Sequence, residues 1–286
     1  NTSRYAKTTQ EMLLTSPSNF STAANTVTRS MHARWQENEI LTNQSNFSTQ
    51  IQMGMLLHKI STGIELTKES QLTKNYTAQT AQVTSLYNPT NISWNDLTLS
   101  GQKSDGETTT VGAYLFDSIN IGEKFIFTGG ARFDKYDTTN DIVSSTLVPS
   151  TLEDKGNLNS YKVGLVYKPL DNGSVYISRA TTQLPPGPLS ESDTSANNPN
   201  MEPQKSTTDE IGTKWDLLNN RLSLTTAVYK TVVENETMTE LDGSTSQNGE
   251  KEVEGLEFGA VGEITDKWNL SAGLAKMNTE YTQATS

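Results

Sequence analysis

The chain has 286 residues and a mass of 31.4 kDa, enough for one large domain or two ordinary ones. Its 22 basic and 33 acidic residues leave a formal charge of −11, which argues against a nucleic-acid binder, since such a protein needs a basic face to displace counterions from phosphate. There is no cysteine, so disulfides, thiolate metal sites and cysteine nucleophiles are excluded, and His32 and His58 stand too far apart in sequence for a histidine zinc motif. No apolar run approaches the length of a membrane helix. A mean hydropathy of −0.57 with 33% hydrophobic residues suits a polar soluble protein. It equally suits a membrane β-barrel, in which only alternate residues face lipid.

The hydrophobic period is two. Tyr161, Val163, Leu165 and Tyr167 share one side of their segment, with Lys162, Gly164, Val166 and Lys168 on the other. The same alternation places Phe125, Phe127, Gly129, Ala131 and Phe133 together, then Leu222, Leu224, Thr226 and Val228, then Leu256, Phe258 and Ala260, then Trp268, Leu270, Ala272 and Leu274. No helical period is sustained. In chain order the pattern predicts eleven strands: 3–14, 27–52, 55–68, 107–118, 125–137, 158–168, 174–182, 206–217, 221–234, 250–263 and 268–281. The second is either one very long strand or a strand with an irregular rise. The expected fold class is all-β, an antiparallel meander of long strands.

The connections fall into two classes. Tight turns are expected at Met53-Gly54, Ile121-Gly122-Glu123, Leu170-Asp171-Asn172-Gly173, Leu218-Asn219-Asn220 and Thr265-Asp266-Lys267, where Gly and Asn supply the backbone conformations that hairpins need. Long polar loops are expected over 15–26, 71–106, 138–157, 184–205 and 236–249. Short turns at one rim, long loops at the other and strands of membrane-crossing length are the pattern of an outer-membrane barrel. Aromatic residues near strand ends (Phe125, Tyr161, Trp215, Trp268, Tyr281) fit interfacial girdles. An antiparallel meander closes in register only with an even strand count, so eleven strands point to a piece of a larger barrel.

Four segments carry a family resemblance: the run from Leu158 to Tyr176; Met201-Glu202-Pro203-Gln204-Lys205-Ser206 with Glu210-Ile211-Gly212-Thr213-Lys214-Trp215 and Arg221 to Thr225; Val253-Glu254-Gly255-Leu256-Glu257-Phe258 with Ile264-Thr265-Asp266-Lys267-Trp268; and Gly129-Gly130-Ala131-Arg132-Phe133-Asp134. In order and spacing they resemble the β-barrel domain of TonB-dependent outer-membrane siderophore receptors of the catecholate and ferrichrome type. The match covers roughly 107–281 and is looser before it. The resemblance implies a 22-stranded barrel whose lumen is plugged by a separate domain, located in the bacterial outer membrane. The 286 residues would then be a segment of the barrel domain holding about half its strands, without the plug domain and the C-terminal strands. It further implies a ferric siderophore as ligand, with iron carried inside the chelate rather than held as an intrinsic cofactor. The partners implied are the TonB energy-coupling complex, reached through the plug, and outer-membrane lipid and lipopolysaccharide.

Candidate ligand-binding residues are Arg132, Tyr136, Arg179, Tyr87 and Trp94. Guanidinium groups bind oxyanions and stack on aromatic rings, and loop aromatics can stack on catecholates. For Arg132, which shares a strand face with Asp134 and Tyr136, the alternative is a lumenal salt-bridge ladder. Arg179 follows the alternation of Val175 and Ile177, so it is expected to face outward, where it would sit near lipid headgroups. For Tyr87 and Trp94 the alternative is local packing of a long loop. Pro185-Pro186-Gly187-Pro188 is expected to stiffen its loop. Acidic groups (Asp105 with Glu107, Asp141, Glu191 with Asp193, and Glu250, Glu252 and Glu254) read as a solvated rim or as divalent-cation contacts at the lipopolysaccharide surface. No metal site and no catalytic motif is found, and the chain is not expected to be an enzyme. Two other readings remain open: a passive outer-membrane pore formed by a small closed barrel, and an inactive β-rich surface antigen fragment.

Overall fold

The computed structural model describes residues 1–91, 93–94, 96–185, 202–239 and 245–283. The expected positions Pro186–Pro188, Glu191, Asp193 and Met201 lie outside the described residues. Twelve strands form one antiparallel sheet: β1 (Thr2–Ser21), β2 (Thr26–Met53), β3 (Leu56–Tyr76), β4 (Gln82–Ser85), β5 (Leu99–Ile121), β6 (Phe125–Val143), β7 (Pro149–Leu170), β8 (Gly173–Leu184), β9 (Gln204–Leu217), β10 (Leu222–Thr239), β11 (Thr245–Thr265) and β12 (Trp268–Gln283). Eleven of them follow one another as a meander, while β4 stands off the path and pairs with the start of β2. The sheet is open: β1 and β12 are its edges and do not pair with each other.

The tight turns fall where Gly and Asn predict them. Gly122 has φ 60°, and Asn219 and Asn220 have φ 57° and 65°, a region these residues enter at low cost. The second strand is continuous for 28 residues.

The polar stretches at the other rim differ from expectation. β1 continues to Ser21 and β2 begins at Thr26; β6 runs to Val143 and β7 starts at Pro149; β5 begins at Leu99. Much of what reads as loop is therefore ladder. These hairpin tops are held by backbone pairing and by polar side chains across strands, such as Thr108 with Thr138 (2.9 Å), Ser104 donating to Asn140 (2.9 Å) and Lys155 with Asp137 (3.1 Å). With no apolar alternation in the sequence, a period-two search does not see them.

The register sorts side chains onto two faces. One row of directly opposed residues runs His58, Ile119, Phe127, Leu165, Ile177, Ile211, Val228, Leu256 and Lys276, from β3 to β12. This face is apolar, and large hydrophobic residues stand exposed along it. Two of its threonines turn their hydroxyls to the backbone: Thr62 donates to the Tyr114 carbonyl at 2.7 Å and Thr213 to the Ser174 carbonyl at 2.9 Å.

The apolar band has sharp edges. Toward the turns it ends on aromatics, including Phe125 stacked on Tyr167 with ring centroids 5.0 Å apart, and on Trp215 and Trp268. At the other edge each strand places a charge or a polar residue: Lys68, Lys135, Arg179, Asp209, Lys230, Glu254 and Lys276. That edge crosses the ladder obliquely. The row of Lys276 meets β3 at His58, ten residues short of Lys68, over eight strand-to-strand steps. At about 3.3 Å per residue and about 4.8 Å per strand, this is a rise of about 33 Å over about 38 Å, or a strand tilt of about 40°. Ten residues from Phe125 to Lys135 at that tilt give a band about 25 Å tall, the height of a transmembrane barrel's apolar belt.

Candidate functional site

The second face is polar and is built around two devices. In the first, an aromatic ring lies flat over the glycine directly opposite it. Tyr114 covers Gly63, Tyr136 covers Gly156, Tyr176 covers Gly212 and Tyr229 covers Gly255. At Gly156 an added Cβ would stand 2.6 Å from the Tyr136 hydroxyl, so only glycine leaves room. Each ring ends in a polar tip. Tyr136 donates to Asp154 Oδ2 at 3.0 Å, Tyr176 to Glu210 Oε1 at 2.6 Å, and the Tyr114 hydroxyl to Asn46.

In the second device, Arg132 is locked between carboxylates. Its Nε lies 3.0 and 2.9 Å from the two Asp134 oxygens, and Nη2 lies 2.7 Å from Asp134 Oδ1 and 3.0 Å from Glu65 Oε1 on β3. Gly112, opposite Asp134, makes space for the pair: a Cβ there would fall 2.3 Å from Asp134 Oδ1.

The five candidate residues occupy different places. Arg132 and Tyr136 lie on the polar face of β6, and Tyr136 is only 2% exposed. Arg179 lies on the apolar face at its charged edge, with Nε 3.1 Å from Asp209 Oδ1 and both side chains 54% exposed. Tyr87 is 74% exposed, just beyond β4, where Leu86 donates its backbone N–H to the Asn25 carbonyl at 2.9 Å. Trp94 donates from Nε1 to the Thr15 hydroxyl at 2.7 Å, tying the 77–98 segment to β1. Arg29 adds a second tie to the Thr90 carbonyl at 2.7 Å. Tyr87 and Trp94 thus stand beside Thr26 and Met31 on β2, fifteen and ten residues above Leu41, which pairs with Lys68 at the band's edge. At about 3.3 Å per residue and the same tilt, they sit about 25–40 Å beyond the band, whereas Arg132 lies within it.

Beyond the band, cross-strand pairs also set ionisation. A hydrogen bond from Lys7 to Glu37, with a second to Glu39 at 2.7 Å, raises the Lys7 pKa. The hydrogen bond to Glu11 raises that of Tyr76. Among the described residues no group of three or more metal-ligating side chains occurs.

Sequence reasoning missed Glu65, Tyr114, Tyr176 and Tyr229 as members of the polar wall. The signal was present as a tyrosine on the polar parity of each strand. Its partner glycine, on a neighbouring strand, emerges only once the register is known.

An oblique apolar belt between aromatic and charged edges, backed by a polar wall, defines the class: part of a transmembrane β-barrel. The family model described as TonB dependent receptor-like, beta-barrel, matches residues 1–286, and the chain belongs to that family of outer-membrane proteins. The catecholate siderophore receptor Fiu of Escherichia coli K12 is 36% identical over 96% of this chain and 40% of its own length. The probable TonB-dependent siderophore receptor PiuA of Acinetobacter baumannii is 32% identical over 99% of the chain and 42% of its own length. The closed-form crystal structure of the ferric-catecholate import receptor Fiu from E. coli K12 matches with a TM-score of 0.86 at 33% identity, covering 99% of this chain and 45% of that one. The chain spans less than half the length of these relatives. They are receptors rather than enzymes.

Proposed function

We propose that this chain is barrel wall in an outer-membrane receptor that takes up ferric siderophores of the catecholate type, without catalysing a reaction. The observation that carries the reading is the likeness to two siderophore receptors over nearly the whole chain, at 36% and 32% identity. Energy comes from the TonB complex acting through a plug domain, and iron enters as cargo inside the chelate. The apolar face contacts lipid, and its charged edge contacts lipopolysaccharide.

The candidate residues divide by height. Tyr87 and Trp94 belong to the extracellular rim, where an aromatic ring can stack on a catechol. Arg132 and Tyr136 belong to the lumen wall. Nε and Nη2 of Arg132 are bonded to two carboxylates, so its role is to hold the wall in shape. Arg179 faces lipid headgroups.

The test is binding of a ferric tris-catecholate and of a ferric hydroxamate to the purified full-length receptor, followed by tryptophan fluorescence. The catecholate is expected to bind and to bind more weakly after Trp94→Ala. A receptor that takes neither chelate, or that conducts ions in a planar bilayer without energy coupling, refutes the reading.

A further inference from the structure

Between β1 and β7 the strands of the polar face carry carboxylates that the protein itself answers, with one exception. Glu65 and Asp134 are bonded to Arg132, and Asp154 accepts from Tyr136. Glu69 on β3 is exposed and has neither an ion pair nor a hydrogen bond among the described residues. It stands in a row of opposed residues that runs Ala6, Ile40, Glu69 and Thr108 from β1 to β5. The next row up runs Thr8, Asn38, Gln71 and Gly106. Together they line a shallow cavity of about 270 Å³. Glu69 and Gln71 follow Lys68, so the cavity lies about 3–8 Å beyond the band's edge. It belongs neither to the packed wall of rings below it nor to the rim of Tyr87 and Trp94 far above.

The amides of the upper row are held with acceptors to spare. Gln71 donates Nε2 to Asn38 Oδ1 at 2.9 Å, and Gln36, which is buried, donates to the same oxygen at 3.0 Å. Asn38 donates Nδ2 to Thr8 Oγ1 at 3.4 Å. Gln71 is left with Oε1, which accepts nothing among the described residues, and the Thr8 oxygen keeps a lone pair. Gly106 opposite Gln71 and Ala6 opposite Ile40 leave the space beside these groups open. The cavity therefore presents a carboxylate and neutral acceptors. That set repels the anionic iron centre of a catecholate and suits an ammonium group, a cation with three N–H donors and no acceptor. The nearest cation of this face on β1, Arg4, is two strands and two residues away, about 12 Å between backbones, and makes no ion pair with Glu69. The volume is below the roughly 300–1,000 Å³ of clefts that enclose a whole ligand, so the cavity has room for an arm of a chelate and not for its iron centre.

We propose that this cavity is a subsite for a protonated amine carried on the arm of the ferric chelate, with Glu69 taking the charge and Gln71 Oε1 and Thr8 Oγ1 taking further N–H groups. The subsite rests on the proposed uptake of ferric chelates and adds a preference within that class. It selects for what the linker carries, independently of the groups that hold the iron.

The experiment uses the full-length receptor and two pairs of probes, with Kd read from tryptophan fluorescence. One pair is a ferric tris-catecholate bearing a free primary amine on its linker and the same chelate acetylated there. The other is a linear ferric trihydroxamate ending in a primary amine and its acetylated form. Wild type is expected to bind each amine form about three- to fivefold more tightly, the worth of an exposed ion pair. Glu69→Gln is expected to bring that ratio to about one by weakening the amine form. Thr108→Lys, which sets an ammonium directly opposite Glu69, is expected to do the same. Glu107→Gln, next along β5 and on the outer face, is the control and keeps the ratio. Each variant is first shown to be folded by its heat-dependent gel shift. A wild-type ratio near one, a ratio kept in E69Q, or a ratio lost equally in E107Q would overturn the subsite. So would an E69Q receptor that loses both members of a pair equally. A receptor that binds catecholates without regard to the amine sinks the subsite alone. One that prefers the amine-bearing hydroxamate and takes no catecholate keeps the subsite and sinks the catecholate reading. Binding of no probe sinks both.

Discussion

Replacing Arg132 by Met tests whether the polar wall depends on its ion pairs. Three contacts of 2.7–3.0 Å tie the guanidinium to Asp134, and a fourth of 3.0 Å ties it to Glu65. The Asp134 side chain is 9% exposed, so without the arginine it holds a nearly buried charge with no cation beside it. Removing one partner of a buried pair costs about 3–5 kcal/mol. Glu65 is three times more accessible and is rehydrated by lumenal water, which brings the expectation to about 2–3 kcal/mol. Adding Asp134→Asn to Arg132→Met removes the stranded charge and recovers about 1–2 kcal/mol of that loss. The assay is equilibrium denaturant unfolding of the full-length receptor in lipid vesicles, run as a double-mutant cycle. A coupling below about 0.5 kcal/mol, the scatter expected for independent sites, would refute the account.

Gly156→Ala drives a methyl against the Tyr136 ring, which is 2% exposed and cannot withdraw; a loss of about 1–3 kcal/mol is expected in the same unfolding assay. Tyr87→Ala is expected to leave the unfolding midpoint unchanged, because the side chain is 74% exposed, and to weaken ferric catecholate binding by about tenfold, the value of one aromatic stack. The Lys251 pKa is raised above its ordinary value chiefly by a 2.6 Å hydrogen bond to Glu236. A group raised on folding stabilises fully below its unfolded pKa and loses that contribution as pH rises through the folded one. Amide-exchange protection of the β10–β11 hairpin should therefore hold from neutral pH to about 10 and fall above it, with Lys251→Met abolishing the pH dependence.

How much of this could be read from sequence depended on where water lies. Inside the band one face meets lipid and the other does not, so Tyr161, Val163, Leu165 and Tyr167 alternate and the strand is plain. Beyond Lys135 both faces meet water, the alternation stops, and the segments 138–143 and 149–157 read as loop although they are paired throughout. The outward direction of Arg179 was legible because it follows Ile177 by two. The companion of Arg132 at i+2, Asp134, was legible for the same reason. Glu65 was not, because it stands 67 residues away and reaches Arg132 only through the register of β3, β5 and β6.

The heights of the candidate residues constrain how a ligand can be handled. A chelate touching Tyr87 or Trp94 is about 25–40 Å above the band's edge, while Arg132 and Tyr136 are at or below that edge. A single siderophore cannot span that interval, so these residues cannot form one pocket around it. On the proposed function, the rim would meet the ligand and the wall would bound its path. The rim is the hairpin of β1 and β2 with the 77–98 segment tied across it through Trp94 and Arg29. In the wall, tyrosine rings fill the space their glycines leave, and Arg132 is held by Asp134 and Glu65. Substitutions at the rim should therefore change affinity with little effect on stability, and substitutions in the wall should do the reverse. If Tyr87→Ala unfolded the receptor while Arg132→Met selectively abolished binding, that division would be wrong.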